Sequence, residues 1–398
     1  MFSQRLYRVL LLLGLLAALT GCAEIYDGSG GSAGTSSAKA SVKELKGEPV
    51  KIGVLLPLSG EGASYGIPAQ RVDQIATKII NEQGGIGGRP LELVFEDGKC
   101  DSTEANKAIG ALVSVRQVKF VHGGFCSSET LAAAPIAEEN KVILISSASS
   151  NPKISQAGDF IFRNYPSDSA QGQALADYAK KKGYKAVGII TEEQPYTEGI
   201  ADAFTGVFTQ SGGKVQVEKY ASNASDFRTQ ITKLQVFKAE AFFVNPQTPA
   251  KADLVVKQLI EAGVKGPYIL NDVALGATKE VIEKYKAAVE GSVGAEVPYD
   301  KNHPELVKLK EEYKKLSNGE EVPYLSYMAP TYDALFILKE AIEKEGDDPV
   351  KVKNYLYTVK GRKGLAGTLS FDANGDPTSD YRHALRMVKN GVVENYQE

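Results

Sequence analysis

Two serines, Ser127 and Ser128, stand where a run of small residues turns into a helical pattern: Gly123-Gly124-Phe125-Cys126-Ser127-Ser128-Glu129-Thr130. A helix start leaves its first N–H groups without intrahelical partners, and the helix dipole adds partial positive charge there. Two hydroxyls at the same point make an anion site suited to a carboxylate. The dipole supplies only about 0.3–1 kcal/mol, or roughly 2 when partly buried. Further hydrogen bonds must add to it. Ser150 and the backbone at Ala148, in Ser146-Ser147-Ala148-Ser149-Ser150-Asn151-Pro152, are natural contributors. A third segment of similar character, Leu58 to Gly66, carries Tyr65. The alternative is that Ser127 and Ser128 only cap their helix.

Each of these segments follows a short apolar run that reads as a buried strand: Lys51 to Leu56, Phe120 to His122 and Val142 to Ser146. Helical spacing lies between them, at Ser64–Gln83, Ser102–Val115 and Ser128–Glu139. Gly84-Gly85-Ile86-Gly87-Gly88 ends the first of these helices. The alternation continues beyond Ser167. Strands are predicted at Ala186–Thr191, Lys214–Ala221, Ala241–Val244, Tyr268–Leu270 and Gly291–Val297, and a late helix at Thr331–Lys344. Leu369–Phe371 and Ala384–Val388 read as two strands around one turn. Strands alternating with helices imply doubly wound parallel sheets with helices on both faces, and 398 residues suit two such α/β lobes. In sheets of this kind ligands bind at the carboxyl ends of the strands, where the three polar segments fall.

Composition narrows the function. Hydrophobic residues are 43% and charged residues 24%, with a net charge of −3 and interspersed signs. No basic field is available for nucleic acid. The three histidines, His122, His303 and His383, have no metal-ligand spacing, and no G-x-S-x-G is present. Asp372-Ala373-Asn374-Gly375-Asp376 mimics a calcium loop, but its sixth position is Pro377 and its twelfth His383, so it reads as a turn. An enzyme is disfavoured, and neither cofactor nor metal is expected.

The first residues are an address. Arg5 and Arg8 precede an apolar run from Val9 to Leu19, too short to span a bilayer, followed by Leu19-Thr20-Gly21-Cys22. These four residues resemble a bacterial lipobox. That resemblance implies removal of residues 1–21, lipid on Cys22, and a location at the extracytoplasmic cell envelope. Residues 22–47, rich in Gly and Ser, then form a flexible tether. Cys100 and Cys126 remain as a disulfide or as two buried thiols. The disulfide would contribute roughly 3 kcal/mol in the chain-entropy model.

Together these segments resemble the periplasmic amino-acid-binding proteins of the leucine/isoleucine/valine type, the solute receptors of ABC importers. The resemblance runs through Gly53–Gly66, Asn81–Arg89, Cys100-Asp101 with Gly124–Ser128, Tyr196–Gly199 and Phe371–Asp376, and covers nearly all of residues 50–390. It implies two lobes joined by a three-segment hinge. Lobe 1 would hold 48–165 and 298–374, and lobe 2 would hold 166–297 and 375–398. It implies that Ser127, Ala148 and Ser150 grip a ligand carboxylate, that Asp272 pairs with its ammonium, and that Tyr65, Tyr196 and Tyr327 wall the pocket. It also implies a disulfide between Cys100 and Cys126. The loop Val244–Thr248 lacks the expected aromatic, so Asn245 or Gln247 would hydrogen-bond the ligand instead. Without the resemblance, Asp272 reads as a capping or surface acid, and Tyr65 and Tyr196 as packing. The expected partners are a small neutral amino acid, an ABC permease and, through the lipid, a membrane, with the protein a monomer. An amide, a urea-like compound or a small aromatic acid is the alternative ligand, and a sensory receptor the alternative role.

Overall fold

Five parallel strands build the first sheet: β1 (Val50–Leu56), β2 (Leu91–Asp97), β3 (Phe120–Gly123), β4 (Ile143–Ser146) and β5 (Ile161–Arg163), in the order β2-β1-β3-β4-β5. The computed structural model describes residues 44–378 and 381–397. The expected signal segment 1–21 and Cys22 lie outside the described residues. The second sheet holds β6 (Ala186–Glu192), β7 (Lys214–Tyr220), β8 (Ala241–Asn245), β9 (Ile269–Leu270) and β10 (Val293–Glu296), all parallel. A short hairpin follows, β11 (Arg362–Gly364) with β12 (Gly367–Leu369). Then β13 (Ala384–Lys389) and β14 (Val392–Asn395) extend the second sheet antiparallel, giving β14-β13-β10-β9-β8-β6-β7. The architecture is the expected α/β pair of lobes.

Eleven α-helices connect these strands among the described residues: α1 (Ala63–Glu82), α2 (Ser102–Gly110), α3 (Ser127–Glu139), α4 (Asp168–Lys181), α5 (Pro195–Gln210), α6 (Arg228–Val236), α7 (Pro249–Glu261), α8 (Asp272–Gly276), α9 (Pro304–Leu316), α10 (Leu325–Glu345) and α11 (Pro349–Thr358). Helix α1 buries Tyr65, Ala69, Val72, Ala76 and Ile80, a stripe at three- and four-residue spacing. Helices α9, α10 and α11 follow the second sheet in sequence yet pack in the first lobe, α10 against α1 and β3, and α11 against β4.

Several local expectations change. The segments near 369 and 384 do not form one hairpin: Leu369 pairs with Arg362, while Ala384 pairs with Glu296. Helix α10 begins at Leu325, not Thr331, which puts Tyr327 in its first turn. The strand β5, too short to show alternation, was not anticipated. Neither were the π-helical turns Ala111–Val115 and Thr278–Glu283.

The chain's return near its end is fastened to β5 by a buried charge. Arg163 is fully buried; its Nε and Nη2 donate to Asp376 at 2.7 and 2.8 Å, its Nη1 to Asn151 O at 3.0 Å. The Asp372 carboxylate accepts from the N–H groups of Asn374 and Asp376, closing the turn that presents Asp376. Removing one partner of such a pair leaves an uncompensated buried charge at about 3–5 kcal/mol. We expect Asp376→Ala to lower unfolding stability by that amount in urea titration, and Asp376→Asn to lower it by less.

Candidate functional site

Each sheet has one point where the strand order reverses, and the loops leaving that point are free to hold a ligand. In the first sheet it lies between β1 and β3, whose following loops carry Tyr65 and Phe125 to Ser127. In the second it lies between β6 and β8, followed by Tyr196 and Gln247. The two points face one cavity, lined by Tyr65, Phe125, Cys126, Ser127, Ala148, Tyr196, Gln247, Val273 and Tyr327. The space it leaves for a water-sized molecule is about 20 Å³, within roughly 300 Å³ of empty volume that includes open solvent. Contacts between the lobes flank it: Lys251 Nζ lies 3.4 Å from Glu61 Oε1, and Asn151 Nδ2 donates to Pro195 O.

The wall at Ser127 carries hydrogen-bond donors that the described residues leave unanswered. Neither serine caps α3. Ser128 Oγ donates to Cys100 O at 2.7 Å, and Ser127 Oγ accepts from the N–H groups of Ser150 and Asn151, both at 3.2 Å. Capping falls to Glu129, whose carboxylate accepts from the N–H of Phe125, Cys126 and Cys100 at 2.9–3.0 Å. The N–H groups of Ser127 and Ser128 have no acceptor among the described residues. The Ser127 hydroxyl proton is also uncommitted among the described residues, where that oxygen acts only as an acceptor. A disulfide joins Cys100 and Cys126, fixing this loop to the start of α2. Gly124 is required here: a Cβ would lie 2.4 Å from Glu129 Cβ.

A buried carboxylate stands behind the tyrosines of the wall. Asp272 opens α8 and is 3% exposed. Three tyrosine hydroxyls donate to it: Tyr327 at 2.6 Å, Tyr165 at 3.1 Å and Tyr196. Burial, reinforced by the charge of Asp272, pushes all three phenols well above their ordinary range, so they keep their protons as donors. A second acid, Asp168, is fully buried at the start of α4. Burial and then the negative charge of Asp272 raise it well above the usual carboxylate range.

Six of the site residues anticipated from sequence line the cavity: Tyr65, Ser127, Ala148, Tyr196, Gln247 and Tyr327. Asp272 lies behind Tyr196 and Tyr327 rather than on the wall. Ser150 is not on the wall either; its N–H supports Ser127 and its carbonyl accepts from Asp168 N–H at 2.8 Å. Asn245 is corrected: its Nδ2 donates to Thr191 and Thr197 at 2.9 and 2.7 Å, and its Oδ1 accepts from Asn271, so its amide is committed inside lobe 2. Sequence reasoning missed Phe125, Val273 and Tyr165. The first two adjoin anticipated residues, and Tyr165 lies two residues beyond β5.

The match to known families decides the class. The periplasmic binding protein family matches residues 49–390. The chain belongs to that family. A leucine-binding protein from Thermotoga maritima is 31% identical, covering 87% of this chain and 98% of that one, with a TM-score of 0.78. A branched-chain amino acid transporter substrate-binding protein from Streptococcus pneumoniae, in complex with isoleucine, is 26% identical over the same shares, with a TM-score of 0.75. A leucine-, isoleucine-, valine-, threonine- and alanine-binding protein from Pseudomonas aeruginosa is 28% identical over 336 residues, 83% of this chain and 88% of that relative. This periplasmic binding protein is thus of the type I fold, a solute-binding protein rather than an enzyme, from a family that works outside the cytoplasm. Among the described residues no helix is long and apolar enough to cross a membrane.

Glu129 gives this site a pH signature. Burial raises its carboxyl to about 7, against the opposing pull of the backbone N–H groups of Cys126, Cys100 and Phe125. The unfolded chain has the ordinary value near 4.5. The folded state therefore holds the proton more tightly. Its contribution to stability is complete below about pH 4.5 and is lost as pH rises to about 7, by up to roughly 3 kcal/mol. Urea unfolding at pH 5 and pH 8 should show a smaller loss across that interval in Glu129→Gln than in the wild type.

Proposed function

We propose that this protein captures a small neutral amino acid between its lobes and delivers it to the permease of an ABC importer, held at the membrane by lipid on Cys22. One observation carries the reading: a single cavity is lined by Ser127, at a helix start with unpaired N–H groups, and by Tyr196 and Tyr327, whose hydroxyls donate to the buried Asp272 carboxylate behind them. That is the charge pattern of a zwitterion. A zwitterion enclosed between lobes loses water at both ends, and each unanswered charge costs several kcal/mol. Ser127, with its own N–H and that of Ser128, answers the carboxylate, joined by the backbone at Ala148 and supported by Ser150. Asp272 answers the ammonium, which replaces a tyrosine hydroxyl rather than meeting a bare carboxylate. Tyr65, Tyr196 and Tyr327 exclude water, and Gln247 reaches the wall from lobe 2.

The relatives support the ligand class. Those named above are described as binding leucine, isoleucine, valine, threonine or alanine. The lipobox supports the anchor, and the hinge near Asn164–Pro166, Val297–Pro298 and Asp372–Asp376 supports closure around the ligand. Micromolar affinity needs about −8 kcal/mol.

The test is a thermal-shift screen of protein lacking residues 1–22 against neutral amino acids, amides and small organic acids. A ligand at 100 times its Kd adds about 2.7 kcal/mol of stability. We expect neutral amino acids to raise the melting temperature, and Ser127→Ala and Asp272→Asn to abolish that rise while still unfolding cooperatively. Absence of any shift with millimolar neutral amino acids, or a full shift in both variants, would overturn the reading.

A further inference from the structure

With the carboxylate at Ser127 and the ammonium at Asp272, the wall left for the ligand's side chain is Tyr65, Phe125, Gln247 and Val273. This wall is not purely apolar. The ring of Tyr65 is fixed among aromatics: Phe125 stacks on it at 5.7 Å, Tyr324 lies at 4.9 Å, and Tyr327 meets it edge-on at 5.8 Å. Its hydroxyl is buried and has no hydrogen-bond partner among the described residues. Tyr165, Tyr196 and Tyr327 differ in this respect, since all three donate to Asp272. Gln247 is also poorly answered: the one partner of its Nε2 among the described residues is the Cys126 sulfur, a weak acceptor at 3.9 Å.

A buried hydroxyl without a partner carries the cost of its lost water. A hydrocarbon side chain packed against Tyr65 keeps that penalty in the bound state. A side chain that presents an oxygen removes it. Sites that hydrogen-bond a substrate group discriminate strongly against the analogue lacking it, whereas apolar pockets discriminate weakly against an added hydroxyl. A side-chain carboxylate is disfavoured, because Asp272, Glu280 and Glu192 already set negative charge around Tyr65. Resting on the zwitterion reading above, we propose that the preferred ligands are neutral amino acids whose side chain carries a hydroxyl or carboxamide, recognised by the Tyr65 hydroxyl and the Gln247 amide.

The test uses near-isosteric pairs, threonine with valine and asparagine with leucine, measured by calorimetry on wild type, Tyr65→Phe and Gln247→Leu. Tyr65→Phe keeps the ring and removes one atom, so folding is not at issue. The expected result is that the polar member of at least one pair binds wild type tenfold or more tightly than its hydrocarbon partner. That ratio should fall at least threefold in each variant. Valine and leucine binding wild type as tightly as threonine and asparagine would overturn the inference and leave the amino-acid reading standing. An unchanged ratio in Tyr65→Phe would do the same. If none of the four binds, the amino-acid reading fails and this inference with it.

Discussion

A carboxylate without water has to be answered by the protein, and the answer to Asp272 draws on three separate parts of the chain. Tyr165 comes from the crossing after β5, Tyr196 from the start of α5, and Tyr327 from the first turn of α10. Helix α10 packs with the first lobe, whereas Asp272 and Tyr196 belong to elements of the second sheet. The hydroxyl of Tyr327 therefore links the lobes through an anion. Phenols suit this role because burial beside a negative charge makes them hold their protons. A carboxylate answered only by neutral donors keeps its negative charge available. It remains attractive to a cation in a way that a carboxylate paired with lysine or arginine would not.

The wall at Ser127 follows the opposite logic and reaches a comparable result. Among the described residues no lysine or arginine lines the wall. The nearby Arg163 is committed to Asp376. On the proposed reading, recognition of a carboxylate depends on backbone N–H groups held in place, and much of the surrounding structure holds them. Glu129 gathers three N–H groups of the loop, the disulfide binds the loop to α2, and Ser127 accepts from the Ser146–Pro152 loop. Gly66 lets the loop after β1 pass over α1, since a Cβ there would lie 1.9 Å from Pro57 O. Uncharged donors on the wall and a charged acceptor behind it leave the cavity with a net bias toward cations, which the ammonium of the proposed ligand would satisfy.

The legibility of this site in the sequence follows from where its signals sit. Strand ends were readable because apolar runs such as Lys51–Leu56 stop sharply at small and polar residues. The twin serines were conspicuous for the same reason. Their hydrogen bonds were not: that Ser127 accepts from Ser150 N–H depends on β3 and β4 lying side by side, which no local pattern encodes. Tyr165 escaped notice because its partner, Asp272, is 107 residues away. Asn245 looked available because it ends a strand beside Gln247, yet the neighbouring strands β6 and β9 present Thr191 and Asn271 to it. The start of α10 was misplaced because Pro330 interrupts the pattern, whereas the helix accommodates it one turn and a half after Leu325.

One cluster shows why geometry must be weighed with accessibility. His122 Nδ1 lies 3.1 Å from Asp73, and its Nε2 lies 2.9 Å from Ser147 Oγ. Acid, imidazole and hydroxyl in that order are the parts of a nucleophilic triad. Ser147 is 1% exposed, however, and is absent from the cavity wall, and its hydroxyl also bonds Thr331 Oγ1 at 3.0 Å. Thr331 in turn donates to Tyr327 O at 2.9 Å. The chain of close polar contacts thus runs from α1, which carries Tyr65, past the loop that carries Ala148, to the turn that carries Tyr327. Its effect is positional. Three walls of the cavity are registered to one another by buried polar contacts, and a shift in any of them disturbs a contact that water cannot reach to replace.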